Sequence, residues 1–338
     1  MVADSVAARY RGFAEMEARG VSPTYEEWAL GVGGDEEVAA LIGTLPRAKQ
    51  QANLVFASAR AAGAPLADYE RFRTWLVPHW RRVRAIITVR STQTNEAGRC
   101  AVLLPALDAI DGPLALLEVG ASAGLCLYPD RYSYRYDTPA GAVAIDPTNG
   151  PSPVLARCRT TATTLPARVP EVVWRAGIDL HPLDPSRGDD LAWLEALVWP
   201  EHGERRERLR SAASLVAAEP RPADIVPGDL VAELDTLAAA APKGATLVVF
   251  HSSVLVYLDP GRRSAFVDIV RSLRGARWLS NEGEGVFPDI ARKLPEPAAG
   301  RTVLAVDGEP IAFTGPHGQS YEPIEADPGE RVHRPHVD

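Results

Sequence analysis

The run Leu114-Ala115-Leu116-Leu117-Glu118-Val119 is apolar except for Glu118 and stops at Gly120. It is too short for a buried helix. A short apolar run ended by glycine is the pattern of a parallel strand covered on both faces. Behind it, Gly120-Ala121-Ser122-Ala123-Gly124 forms a glycine-bracketed turn. Such a turn at the carboxyl end of a strand lets a ligand approach the main chain.

Further candidate strands lie at 172–179, 223–226, 246–250 and 276–280, with candidate helices over 189–198, 205–218, 230–241 and 262–273. Strands alternating with helices predict an α/β fold with a largely parallel sheet covered on both faces. Residues 301–306 and 310–314 flank Asp307-Gly308 and predict a C-terminal β-hairpin. Residues 1–110 read as helical. Ser22-Pro23-Thr24 marks a helix start, and Phe72, Trp75, Leu76, Trp80 and Val83 follow the spacing of a buried helical stripe. Pro78 is expected to kink or split that helix. The expected organisation is a helical region (1–110), a Rossmann-like α/β domain (111–320) and a flexible tail (321–338). An insertion at about 127–170 lies near the mouth of the site. Within it Tyr132, Tyr134 and Tyr136 alternate as in a strand, where a helix would ordinarily follow the turn.

A net charge of -8 argues against a broad nucleic-acid footprint. Cys100, Cys126 and Cys158 form no CxxC pair, which fits a reducing cytoplasm. Met1–Glu17 has no apolar signal core, and no apolar run approaches the roughly 20 residues a membrane span needs. Glu201-His202 lacks further ligands, so no metal site is expected. The expected protein is cytoplasmic, with a small-molecule partner, no nucleic acid and no membrane.

Acids recur at the ends of successive candidate strands: Glu118 after the first, Asp179 after the second, and Asp229-Leu230 after the third. A carboxylate at such an end holds an amine or sugar hydroxyls. His251 follows the strongest later strand, either as a general base or as a hydrogen-bonded cap of the sheet edge. Arg99 binds a carboxylate or pairs with Glu96. Arg131 and Arg135, set among the tyrosines, form either an acceptor-binding wall or a solvated hairpin face. Tyr257 lines an acceptor pocket or belongs to the core.

Leu117–Gly124 resembles motif I of class I S-adenosylmethionine-dependent methyltransferases, with Ser122 at the middle glycine position. More broadly, the chain resembles DUF2332, a bacterial family common in actinobacteria. That likeness is carried by Gln93–Cys100, Glu118–Gly124, Asp130–Tyr136, Gly177–Asp184, Trp199–His202, Phe250–Leu258 and Trp278–Gly283. The methyltransferase resemblance implies S-adenosylmethionine as cofactor. Glu118, Gly120, Ser122 and Gly124 would then lie at its methionine end, Asp179 at the ribose, and Asp229 with Leu230 at the adenine. His251 would face the acceptor as base, with Arg99, Arg131 and Tyr257 as acceptor-binding residues.

Two other functions are compatible with the residues. One is a degenerate cofactor-binding or scaffold protein without turnover. The other is a serine hydrolase, since Gly120-Ala121-Ser122-Ala123-Gly124 has the spelling of a nucleophile elbow. His251 would be its base, with Asp229 or Glu282 as the orienting acid.

Overall fold

The computed structural model describes residues 5–93 and 95–324. In chain order the elements begin with helices α1 (Val6–Phe13), α2 (Pro23–Gly34), α3 (Glu36–Gly43), α4 (Ala52–Ala61), α5 (Tyr69–Val89) and α6 (Cys100–Asp108). Strands β1 (Leu114–Val119), β2 (Ser133–Thr138), β3 (Gly141–Ile145), β4 (Leu155–Thr160) and β5 (Val172–Asp179) follow. Next come α7 (Gly188–Leu197), α8 (Gly203–Ala217), β6 (Asp224–Pro227), α9 (Leu230–Ala238), β7 (Thr246–Ser252), α10 (Pro260–Ser272) and β8 (Arg277–Gly283). The chain ends with α11 (Pro288–Ala291), β9 (Thr302–Val306), β10 (Glu309–Thr314) and β11 (Ser320–Pro323). No helix among the described residues is long and apolar enough to cross a membrane.

The chain forms two compact units. One comprises residues up to Asn95 together with Asp184–Ala217, and the other Glu96–Leu183 together with residues from Ala218 onward. The division therefore differs from the one expected at 110: α6 belongs with the sheet, and α7 and α8 with the N-terminal helices.

The first unit is helical, and its core is aromatic. Trp28 stacks on Phe72 at 3.9 Å between ring centroids, and Tyr25, Phe56 and Phe13 pack around them. Ser22 caps α2 by accepting from the Tyr25 amide, and the Glu201 carboxylate accepts from the Ser22 hydroxyl at 2.5 Å. Glu201 is thus a capping residue. Helix α5 runs through Pro78 without being split, and buries Phe72, Leu76, Trp80, Val83 and Ile87 along one stripe. Pro78 lies on the exposed side, and the carbonyl that loses its partner belongs to Thr74, itself exposed.

The second unit is built on an eleven-stranded sheet ordered β3-β2-β4-β11-β10-β9-β8-β7-β1-β5-β6. The central strands β8, β7, β1, β5 and β6 are all parallel. Successive crossovers run outward from β1 through β5 to β6, then return to the other side of β1 for β7 and β8. The winding therefore reverses between β1 and β7. Leu117, Val119, Ile178 and Val249 on one sheet face pack with Leu234 of α9 and with Phe266 and Val270 of α10. By strand alternation, Glu118 turns to the opposite face.

Beyond β8 the sheet is mixed. The expected hairpin is present as β9 and β10, antiparallel to each other, with β9 also antiparallel to β8. Strand β11 then pairs with β10 on one side and β4 on the other. Residues 320–323 thus belong to the sheet, although 321 onward was expected to be a flexible tail; positions 325–338 of that tail lie outside the described residues. The insertion after the glycine turn supplies β2, β3 and β4. Its tyrosines are core: the hydroxyls of Tyr132, Tyr134 and Tyr136 donate to the carbonyls of Leu125, Pro129 and Ala101.

Candidate functional site

The turn after β1 is sharply folded. Gly120, Ser122 and Gly124 all have positive φ, at 73°, 52° and 67°. For Ser122 this is a strained conformation for a residue with a side chain. The turn leads into a single 3-10 turn, Leu125–Leu127, in place of an α-helix. Four of the five amides of Gly120–Gly124 are engaged within the protein. Gly120 and Ala121 donate to the Ile178 carbonyl, Gly124 donates to Ala121, and Ser122 donates to the Asp179 carboxylate at 2.8 Å. The space a Cβ would occupy is filled by neighbours, Val254 against Gly120 and Ile225 against Gly124. The turn is therefore not an open cradle of amides for a phosphate.

The turn does gather buried polar groups. Glu118 is only 6% exposed, and its Oε2 has no hydrogen-bond partner among the described residues. The buried Ser122 hydroxyl is likewise unpartnered. Burial pushes the Glu118 carboxyl well above the usual carboxylate range. Cys126 adds to the rise, Arg99 opposes it, and Asp179 adds further. Arg99 is buried and held rigidly: Nε donates to the Pro316 carbonyl and one terminal nitrogen to the Ser252 carbonyl, both at 2.9 Å. Ser252 ends β7, so the guanidinium is pinned beside the point where the winding reverses.

The other sequence-singled residues divide. Asp179 joins Glu118 at the carboxyl edge, where its two oxygens accept from the amides of Ser122 and His181. Asp229 is committed elsewhere. It caps α9 through the amides of Val231 and Ala232 and is ion-paired with Arg262. Burial acts to raise its carboxyl, but Arg262 and the two amides outweigh that and hold it below the usual range. Leu230 packs on the hydrophobic core. Arg131 pairs with Glu219 at 2.9 Å in the turn before β2, and Tyr257 stands 73% exposed in the 3-10 turn after β7.

His251 sits inside the sheet, fully buried. Its Nδ1 lies 2.7 Å from Glu282 Oε1, and its Nε2 accepts from the Trp278 indole N–H at 2.9 Å. An Nε2 that accepts is unprotonated, so the imidazole is neutral, with its proton on Nδ1. Phe266 and Phe287 pack against the ring. Of the two roles expected of His251, the arrangement matches the hydrogen-bonded one. As general base it has no free lone pair, and as a partner for Ser122 it makes no contact, because the Ser122 hydroxyl is unpartnered.

Sequence reasoning weighed Glu282 as a hydrolase acid, as a group facing the acceptor or as the cap of a turn, and gave Trp278 no role of its own. Both lie on β8, whose Ser280 pairs with His251 across the ladder. An acid three residues after the last apolar residue of its strand, Leu279, carries no signal until the strands are paired.

The fold and this edge define an α/β protein with a largely parallel central sheet and a buried acidic turn at its middle strand. Residues 7–322 match the bacterial family DUF2332, described as uncharacterized protein conserved in bacteria, and the chain belongs to that family. No curated protein and no solved structure matches it.

Proposed function

We propose that the second unit is a Rossmann-like domain that binds S-adenosylmethionine and transfers its methyl group to a small-molecule acceptor. Taken in chain order, the five parallel strands stand third, second, first, fourth, fifth, the doubly wound order in which ligands bind outside the strand carboxyl ends where the winding reverses. The observation that carries the reading is the unpartnered, buried Oε2 of Glu118 at that place. A carboxylate out of water calls for a cation or a donor, and a ligand ammonium supplies both.

The residues fit this cofactor better than a dinucleotide. With four of the turn amides engaged and two acids close by, a pyrophosphate would meet repulsion and few donors. S-adenosylmethionine carries no phosphate. Glu118 and Ser122 would hold its amine end, Arg99 a carboxylate, and Asp179 its hydroxyls. The fit is poorer at Asp229, already paired with Arg262. When bound, the cofactor supplies a sulfonium methyl that leaves to a nucleophile. The chain's part is to orient the reactants and to exclude water.

A second reading, ligand binding without turnover, is favoured by His251, whose ring nitrogens are both engaged in a buried network. It leaves the same cofactor pocket without a base. Titration calorimetry with S-adenosylmethionine and S-adenosylhomocysteine tests the shared step: binding is expected in the wild type and weakened by Glu118→Gln. Folded protein that takes up neither ligand overturns both readings. Methyl transfer to an acceptor panel then separates them.

A further inference from the structure

We infer that Glu282 is the positioning residue of the β1 turn, held in place by a buried chain from Trp278 through His251. The inference rests on the ligand reading above and identifies what fixes the wall of that site.

Three donors converge on one oxygen. Glu282 Oε1 accepts from His251 Nδ1 at 2.7 Å, from the Val254 amide at 2.9 Å and from the Leu255 amide at 3.1 Å. The two amides belong to the segment that leaves β7. That segment starts with Ser253 at a φ of 57°, its amide bonded to the Asn281 carbonyl. A serine in the left-handed region persists only where its surroundings hold it. The paired amides beyond it do so through Glu282. Their placement matters because Val254 is the side chain that fills the missing Cβ position of Gly120, with both its methyl carbons inside contact distance of that position. Gly120 in turn separates Glu118 from Ser122. The order of contact runs from the Trp278 indole to the His251 ring, the Glu282 carboxylate, the Val254 amide and side chain, and the Gly120 turn.

The network stands on β8 and β7, whereas the groups proposed to touch ligand stand on β1 and the segments beside it. Glu282 therefore acts through Val254. Its own second oxygen has no partner and makes no contact with the Glu118 cluster among the described bonds. The arrangement also accounts for a buried histidine, glutamate and tryptophan bonded in series: together they lock one side of the crevice where the winding reverses.

The test compares the full chain with two variants by calorimetry against S-adenosylmethionine. Glu282→Leu removes the acceptor, and Glu282→Gln keeps an oxygen for the amides. Loss of a buried charge-assisted cap is expected to weaken binding by about tenfold or more in Glu282→Leu, and Glu282→Gln restores most of it. A second readout needs no folded variant of Glu282. The Trp278 indole N–H resonance of the wild type, assigned by its absence in Trp278→Phe, shifts when S-adenosylmethionine is added. Equal affinity in wild type and Glu282→Leu, or a Trp278 resonance unmoved by saturating ligand, overturns the inference while leaving the ligand reading intact. No binding by the wild type overturns both.

Discussion

The indole N–H of Trp278 donates to Nε2 of His251 at 2.9 Å, and this one bond decides what the histidine is able to do. It fixes the ring proton on Nδ1, directs that proton to Glu282, and closes the lone pair a general base would use. Long-range proton–nitrogen NMR is expected to find His251 as the Nδ1–H tautomer at neutral pH. Trp278→Phe leaves Nε2 buried without a donor and is expected to cost about 1–3 kcal/mol of stability in denaturant melts. An Nε2–H tautomer contradicts the assignment.

Glu118 makes stability depend on pH in a definite direction. Burial holds its folded-state pKa above the unfolded one. Its contribution is therefore complete below the ordinary carboxylate pKa and is lost as pH rises through the raised value. Glu118→Gln removes that loss, so the variant gains on the wild type in chemical melts as pH rises from the ordinary carboxylate pKa through the raised one. A ligand ammonium acts in the opposite sense, because it favours the carboxylate. Affinity for S-adenosylmethionine is expected to rise with pH over the same window, with protons released on binding. Stability curves of wild type and variant that stay parallel refute the assignment.

Gly120 is constrained twice, by a φ of 73° and by the Val254 methyls. Gly120→Ala is expected to cost about 1–2 kcal/mol for the left-handed backbone and a further 1–3 kcal/mol or so for overpacking. Adding Val254→Ala recovers the second part and not the first. Thermal melts of the single and double variants separate the two. If the second substitution brings no recovery, Val254 is not what fills the space.

Tyr321 joins two parts of the sheet. It is buried at the register where β11 meets Thr314 of β10 and Thr160 of β4. Tyr321→Ala is expected to cost about 2–4 kcal/mol and to speed amide hydrogen exchange in β2 and β4 more than in β5 and β6. Uniform acceleration across the sheet speaks against this linkage.

Much of the central sheet was legible because it obeys local rules. Leu114–Val119 and Val172–Asp179 are strands over their full expected spans, each apolar enough to be covered and each ended by glycine or acid. The alternating tyrosines were recognised as strand chemistry, and Tyr134 and Tyr136 lie in β2. Their destination was not legible. Nothing in Tyr132–Tyr136 tells that β2 joins β4, and through β11 the C-terminal hairpin. Strand β4 was hidden in a Pro- and Thr-rich stretch, although Ala156, Cys158 and Thr160 alternate inward. At the site, Glu118 and Asp179 could be placed together from strand ends alone. Asp229 could not be, because its partner Arg262 lies on α10, and His251 was ambiguous because Trp278 and Glu282 reach it only across the β7–β8 ladder. Ion pairs and buried networks between strands are set by register, which a single sequence does not display.

The seam between β4 and β11 bears on the order of events at the ribosome. Strands β2, β3 and β4 are synthesised well before β11, the strand that completes the second side of β4. Until residues 320–323 arrive, β4 presents an open row of amides and carbonyls able to recruit a strand from a neighbouring chain. The nascent protein is thus open to mispairing at β4 until the closing strand has been made, and pairing with that strand ends the hazard.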